Sequence, residues 1–397
     1  MFKKHNFTCP LFVLLHSISL FSNSFIVYEA QIVRFLLQSL IFLVFIERIR
    51  SRSSPKLRKP YRLASIWRFL NFNGHFLVFL AIFGFLRTET VFHKCREEEV
   101  GCELYYPARQ SGSLSRDAQV LRLLLATITL LVTNFLVFKF FSKTEKSEKP
   151  SGALSVLSAL SWPLIGAVIF HSVLTSMVHD VKRANFTAQL VVLACIPCAI
   201  MAFMLKKPLI SAHFVMMPIY LLFGDGMIPA LVIFVALSVM IASFVPKESL
   251  PSAIALLIPF GFYHLGHSPV LSSIPWHAAF VGLPGAAALR ILPAVNVLLH
   301  LNFSTIPPIF VLSSQEPPVS ISPASSFAPL NATLILVSIR AAFSCLAASI
   351  HRRHLMVWKI FAPKFIFECV LAIVFLVFAN VLCAFRARKL SEKAKNV

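Results

Sequence analysis

Apolar residues run through this chain in long blocks, broken by short polar or basic stretches. The first six blocks lie over Thr8–Phe21, Leu37–Phe45, Phe76–Phe85, Leu123–Val137, Leu157–Val173 and Leu190–Met204. Six more lie over Leu209–Phe223, Met227–Phe244, Ala253–Phe262, Ala286–Phe310, Leu330–Ile350 and Phe365–Phe385. A helix that crosses a bilayer needs about 20 predominantly apolar residues, and most blocks reach that length with their flanks. The alternation expected of a membrane β-barrel is absent. In lipid only helices and closed barrels satisfy the backbone. The pattern therefore predicts an all-α, polytopic membrane protein of about twelve transmembrane helices, with merges or splits at Gly and Pro positions. No soluble domain, heptad array or internal repeat interrupts it, so residues 1–397 read as one multi-pass transmembrane domain.

Composition excludes the other broad classes. Hydrophobic residues make up 57% of the 397 residues and charged residues 13%, against about 25% charged in a soluble domain. With 39 Phe the chain is also the opposite of a disordered one. Met1–Lys4 is basic and precedes an apolar run, but no small-residue site for signal cleavage follows.

Charge sets the orientation. Lys and Arg number 37 against 16 Asp and Glu, a net charge of +21. The excess sits in short loops, where it orients a membrane protein rather than binding nucleic acid. The basic stretches are Arg48–Arg68, Lys139–Lys149, the pair Lys206 and Lys207, and the tail 386–397. With these in the cytosol, both termini are cytosolic. The opposite, lumenal side then holds Ser22–Ala30, the longest polar loop over 87–117, His179–Thr187, Gly224–Gly226, His267–Gly285 and His351–Lys364.

Two features fit a lumen on that side. Cys95 and Cys102 share the 87–117 loop at a spacing suited to a small disulfide in an oxidising compartment. Asn185 opens an Asn–Phe–Thr glycosylation sequon. The remaining cysteines, including the Cys195–Cys198 pair, fall in or beside apolar blocks, where Cys packs as a small hydrophobe. Lys393 and Lys395 stand in the KxKxx spacing of an endoplasmic-reticulum retrieval signal, within a tail that is basic throughout.

Catalytic motifs are missing: the sequence has no GxSxG, no HExxH and no phosphate-cradling Gly loop. No set of His, Asp and Glu assembles a metal site, and Glu97–Glu99 reads as loop solvation. Two lumenal segments stand apart. One runs from Tyr263 to Gly285 and sets His264, His267, Trp276 and His277 among Gly and Pro. It reads either as irregular backbone lining a wet cavity or as an interfacial aromatic anchor. The other runs from His351 to Glu368 and carries Arg352, Arg353, His354, Lys359 and Lys364 on the side where positive charge is unusual. It reads either as a surface whose cations meet a phosphate or as a snorkelling basic flank.

The same segments carry a family resemblance. Cys345–Glu368 closely resembles the C-terminal region of the GPI ethanolamine phosphate transferase 3 family. Gly266–Gly282 is similar to that family's GHQP…HWHAAFVG stretch, with Ser268 in place of Gln and Pro275 in place of His. Ser19–Glu29 resembles its SLFSDSFVVAEA loop, and Phe92–Cys102 its two-cysteine lumenal loop. The resemblance implies an endoplasmic-reticulum membrane enzyme that moves ethanolamine phosphate from phosphatidylethanolamine to the third mannose of a GPI-precursor lipid. The family's catalytic part is an alkaline-phosphatase-like lumenal domain with a Thr nucleophile and two divalent metal ions, of the zinc kind. This sequence matches none of that domain, so it supplies no catalytic residue, needs no cofactor of its own, and is not expected to transfer alone.

The function expected of the chain is thus that of a membrane domain that binds and orients lipid substrates by proximity. Glu29, His267, Trp276, His277, Arg352, Arg353, His354, Lys359 and Lys364 are the candidate substrate contacts. Its expected partners are phosphatidylethanolamine, GPI-precursor lipids and the bilayer, with room for a small stabilising membrane subunit. Two rivals stand beside it: a lipid or solute transporter or scramblase, with Gly224–Asp225–Gly226 at a break between spans, and a non-enzymatic assembly subunit.

Overall fold

The computed structural model describes residues 8–52, 62–92, 115–144, 152–205, 208–283, 291–314, 328–353 and 357–395. Among them there is no strand. In chain order the helices are α1 (Thr8–Ser19), α2 (Asn23–Val27), α3 (Glu29–Arg52), α4 (Arg62–Arg87), α5 (Glu89–Phe92) and α6 (Arg116–Thr144). They continue with α7 (Gly152–Val173), α8 (Val181–Met204), α9 (Pro208–Phe223), α10 (Ile228–Phe244), α11 (Leu250–His264) and α12 (Trp276–Ala279). The last four are α13 (Leu292–Asn302), α14 (Ile306–Ser314), α15 (Ala328–Ile350) and α16 (Phe361–Lys395).

Among the described residues, eight helical stretches are long and apolar enough to cross a membrane. Three shorter apolar helices, Cys9–Ser19, Ile210–Phe223 and Leu250–His264, lie among them. On α8 the outward face is Leu193, Ile196, Ile200 and Phe203, all more than half exposed. That spacing puts an apolar stripe on the outside, the reverse of a water-soluble helix, so the solvent it was built for is lipid.

The helices fall into two compact units. The first holds residues 1–103, 233–273 and 302–397, and the second residues 104–232 and 274–301. In the second unit α7, α8 and α9 pack on one another, with α6 alongside. Its turn from α9 to α10 is braced by Arg122 of α6, whose Nε and Nη2 donate to the two oxygens of Asp225 at 3.0 and 2.9 Å. Gly224 enters that turn at φ +72°, a conformation costly for residues with a Cβ.

The first unit is built around α11. Every residue from Leu250 to His264 is buried, and α1, α3 and α15 surround the helix. An apolar sequence with no polar face suits such a central position. Gly261 permits the closest approach: a Cβ there would overlap the ring of Phe234 and stand 3.0 Å from Cβ of Ser304. Phe234 is itself fully buried and cannot swing away. Gly261→Ala is therefore expected to cost about 1–3 kcal/mol by overpacking. Gly166→Ala on α7 meets nothing within 4 Å and should be neutral or mildly stabilising. Thermal unfolding of the two variants in detergent checks the contrast.

Candidate functional site

Six polar side chains from five helices of the first unit meet in its interior. Glu29 is the first residue of α3 and is fully shielded. Its Oε1 accepts from His16 Nε2 of α1 at 2.8 Å and from Lys364 Nζ of α16 at 2.7 Å. Its Oε2 accepts from the Tyr263 hydroxyl of α11 at 2.5 Å. Three donors converging on one carboxylate suit its ionised form. His16 offers Nε2–H to Glu29, and its Nδ1 has no partner among the described residues, which suits a neutral imidazole with no proton on that nitrogen.

Lys364 joins this half of the cluster to the other. Its ammonium also lies 2.7 Å from Glu368 Oε1, one helical turn further along α16. The Tyr263 ring faces it at 5.8 Å. Glu368 Oε2 accepts from Arg340 Nε at 2.7 Å, with Nη2 of the same guanidinium at 2.6 Å. Two carboxylates thus balance one ammonium and one guanidinium, and the cluster is neutral as a whole. Neutrality is what a low-dielectric interior demands of ionised groups.

Arg340 has a further task set by the sequence of α11. Pro259 has no N–H, so the carbonyl of Ala255, four residues earlier, loses its helical donor. Arg340 Nη1 supplies the missing bond at 3.1 Å. Beside the cluster is a cleft of about 10 Å³ lined by Tyr263, Asn302, Lys364 and Glu368 against Pro259, Phe262 and Phe367. A space of that size matches a single water.

The candidates from sequence divide as follows. Glu29 and Lys364 come together, and carboxylates within the protein, not a lipid phosphate, balance Lys364. His267 is buried in the same unit, its ring 5.1 Å from that of Phe262. Arg352, Arg353, Trp358 and Lys359 are exposed. His354 lies outside the described residues. Trp276 and His277 belong to the second unit, both exposed, with the His277 ring 5.8 Å from that of His300.

Cys95 and Cys102 lie outside the described residues. Asn185 sits in the second turn of α8, where its Oδ1 accepts from the backbone N–H of Gly282 at 3.3 Å. Lys393 and Lys395 are on the last turn of α16. Asp225, the acidic residue of the Gly–Asp–Gly break, has both oxygens occupied by Arg122. The cluster adds His16, Tyr263, Arg340 and Glu368 to the candidates from sequence. Arg340 carried the clearest signal, an arginine in the middle of an apolar block, since ionisable residues at membrane depth mark sites by default. Glu368 follows Lys364 by four residues on one helix, which is also legible.

These observations define an all-α, multi-pass membrane protein whose first unit encloses a charge-neutral ionic cluster. Part of the chain is similar to the catalytic subunit of GPI ethanolamine phosphate transferase 3. The identity with the Homo sapiens protein of that name is 37% over 161 aligned residues, covering 30% of this chain and 15% of that protein. With the Mus musculus protein it is 37% over 164, with the same coverage. The similarity thus reaches about 15% of the length of these relatives. No family model and no solved structure matches the chain.

Proposed function

We propose that this chain serves as membrane region for a GPI ethanolamine phosphate transferase, holding phosphatidylethanolamine and a mannosylated GPI-precursor lipid in position for transfer. The observation that carries this reading is the 37% identity to the human catalytic subunit. In this reading the protein resides in the endoplasmic-reticulum membrane with both termini in the cytosol. The eight long apolar stretches, the three shorter helices and α3 supply its twelve crossings. The ends of α1, α11 and α15 and the starts of α3 and α16 then share the lumenal side.

The exposed cations Arg352 and Arg353 support a lipid-headgroup role. The ionic cluster consumes Lys364 and leaves Arg352, Arg353 and Lys359 as the solvent-facing charges among the described residues of the segment, two of them guanidinium groups. Arg offers a planar fork matched to phosphate oxygens. Each charged hydrogen bond lost is worth about 1.5–3 kcal/mol, so Arg352→Gln with Arg353→Gln should weaken binding of the mannosylated acceptor lipid about tenfold or more. Lys at both positions should give an intermediate loss, because it keeps the charge without the fork. Titration of the acceptor lipid into the chain in nanodiscs, beside thermal unfolding, measures both effects. Unchanged affinity in a folded Gln pair would remove the headgroup role. A drop in stability alone would assign the arginines to anchoring.

A further inference from the structure

The two exposed arginines follow directly on a histidine that is held from two sides. His351 closes the last turn of α15, its N–H bonded to the carbonyl of Ala347 at 3.0 Å. Its Nε2 lies 3.1 Å from the carbonyl oxygen of Phe21, in the turn between α1 and α2. Since a carbonyl only accepts, Nε2 carries the proton and donates. The face of its ring stacks on Phe361 of α16, with centroids 4.4 Å apart and planes 14° from parallel. Beneath it Leu20, Ile26, Ala347, Val357 and Phe361 form one buried apolar cluster. The Phe21 ring packs edge-on against Phe343 at 5.9 Å.

A helix end ordinarily frays, because its last carbonyls have no partners within the helix. Here the residue just before the two arginines is fixed to a different part of the chain, some 330 positions away in sequence. We infer that His351 is a positioning residue: bonded to the Phe21 carbonyl and stacked on Phe361, it fixes the direction in which Arg352 and Arg353 present their guanidinium groups. This rests on the headgroup reading of those arginines. Its physical content is preorganisation. An arginine pair already aimed at a phosphate loses less conformational freedom on binding than one on a frayed end.

The experiment uses the whole chain in nanodiscs, with the mannosylated acceptor lipid as probe and thermal unfolding read in parallel. His351→Phe keeps a ring to stack on Phe361 and removes only the donor. It is expected to weaken the probe about fivefold, the equivalent of one ordinary hydrogen bond. His351→Gln returns an N–H donor and should recover most of the affinity. In the Arg352→Gln, Arg353→Gln background, His351→Phe should change affinity no further, because the histidine acts only through those side chains. Wild-type affinity in His351→Phe would overturn the inference, and so would an equal loss in both backgrounds. If the Arg pair itself binds as the unsubstituted protein does, the headgroup reading fails and the inference with it. If the Arg pair weakens binding and His351→Phe does not, only the inference fails.

Discussion

Glu29→Gln is expected to destabilise the protein by about 3–5 kcal/mol, the usual cost of removing one partner from a buried ion pair. The carboxylate accepts from three helices at once, and Gln replaces an acceptor oxygen by a donor that faces Lys364 or Tyr263. It also leaves the cluster with two cations against Glu368 alone, inside a unit where Glu29 and Lys364 are almost completely shielded. Combining Glu29→Gln with Lys364→Met restores neutrality and should recover more than half of the loss. Thermal unfolding in one detergent across wild type, the single variant and the pair makes the comparison. A double variant no more stable than the single one would mean that charge balance is not what Glu29 supplies.

Arg340→Met should be about as damaging, on the order of 3–5 kcal/mol, for two separable reasons. It strips Glu368 of its guanidinium partner and exposes the Ala255 carbonyl that Pro259 had already deprived of a donor. Adding Pro259→Ala to Arg340→Met supplies an N–H at the right helical position. That change should return about 1 kcal/mol, the net worth of one backbone hydrogen bond. The uncompensated Glu368 charge would account for the remainder. If Pro259→Ala returns nothing, the contact with the Ala255 carbonyl is energetically idle. If it returns nearly everything, the ion pair is.

The two predictions bear on function because Lys364, a member of the cluster, follows the basic segment in the chain. Lys364 stands in the first turn of α16 and ties that end of the segment to the cluster, while His351 holds the other end, at the close of α15, to the Phe21 carbonyl. A substitution in the cluster should therefore disturb lipid binding only to the degree that it disturbs folding. Arg352 and Arg353 should show the opposite split.

Much of this architecture was legible in the sequence. Long apolar blocks leave helices in lipid as the one economical solution, and that follows from backbone hydrogen bonding without any tertiary detail. The Lys364–Glu368 pair lies on one helix at a spacing of four, so its contact was readable as well. What the sequence left open was which helices are neighbours. Nothing local says that His16, Tyr263 and Lys364 share the Glu29 carboxylate, since they come from three separate helices and Tyr263 lies 234 residues from Glu29. The same holds for Arg340: Pro259 announces an orphaned carbonyl, but only the packing of α15 on α11 brings a guanidinium to it. Periodicity and composition report what each segment must bury. Which charge meets which depends on the packing of faces with no sequence code of their own, and so the tertiary structure alone decided that Lys364 is spent inside the protein while Arg352 and Arg353 remain outside it.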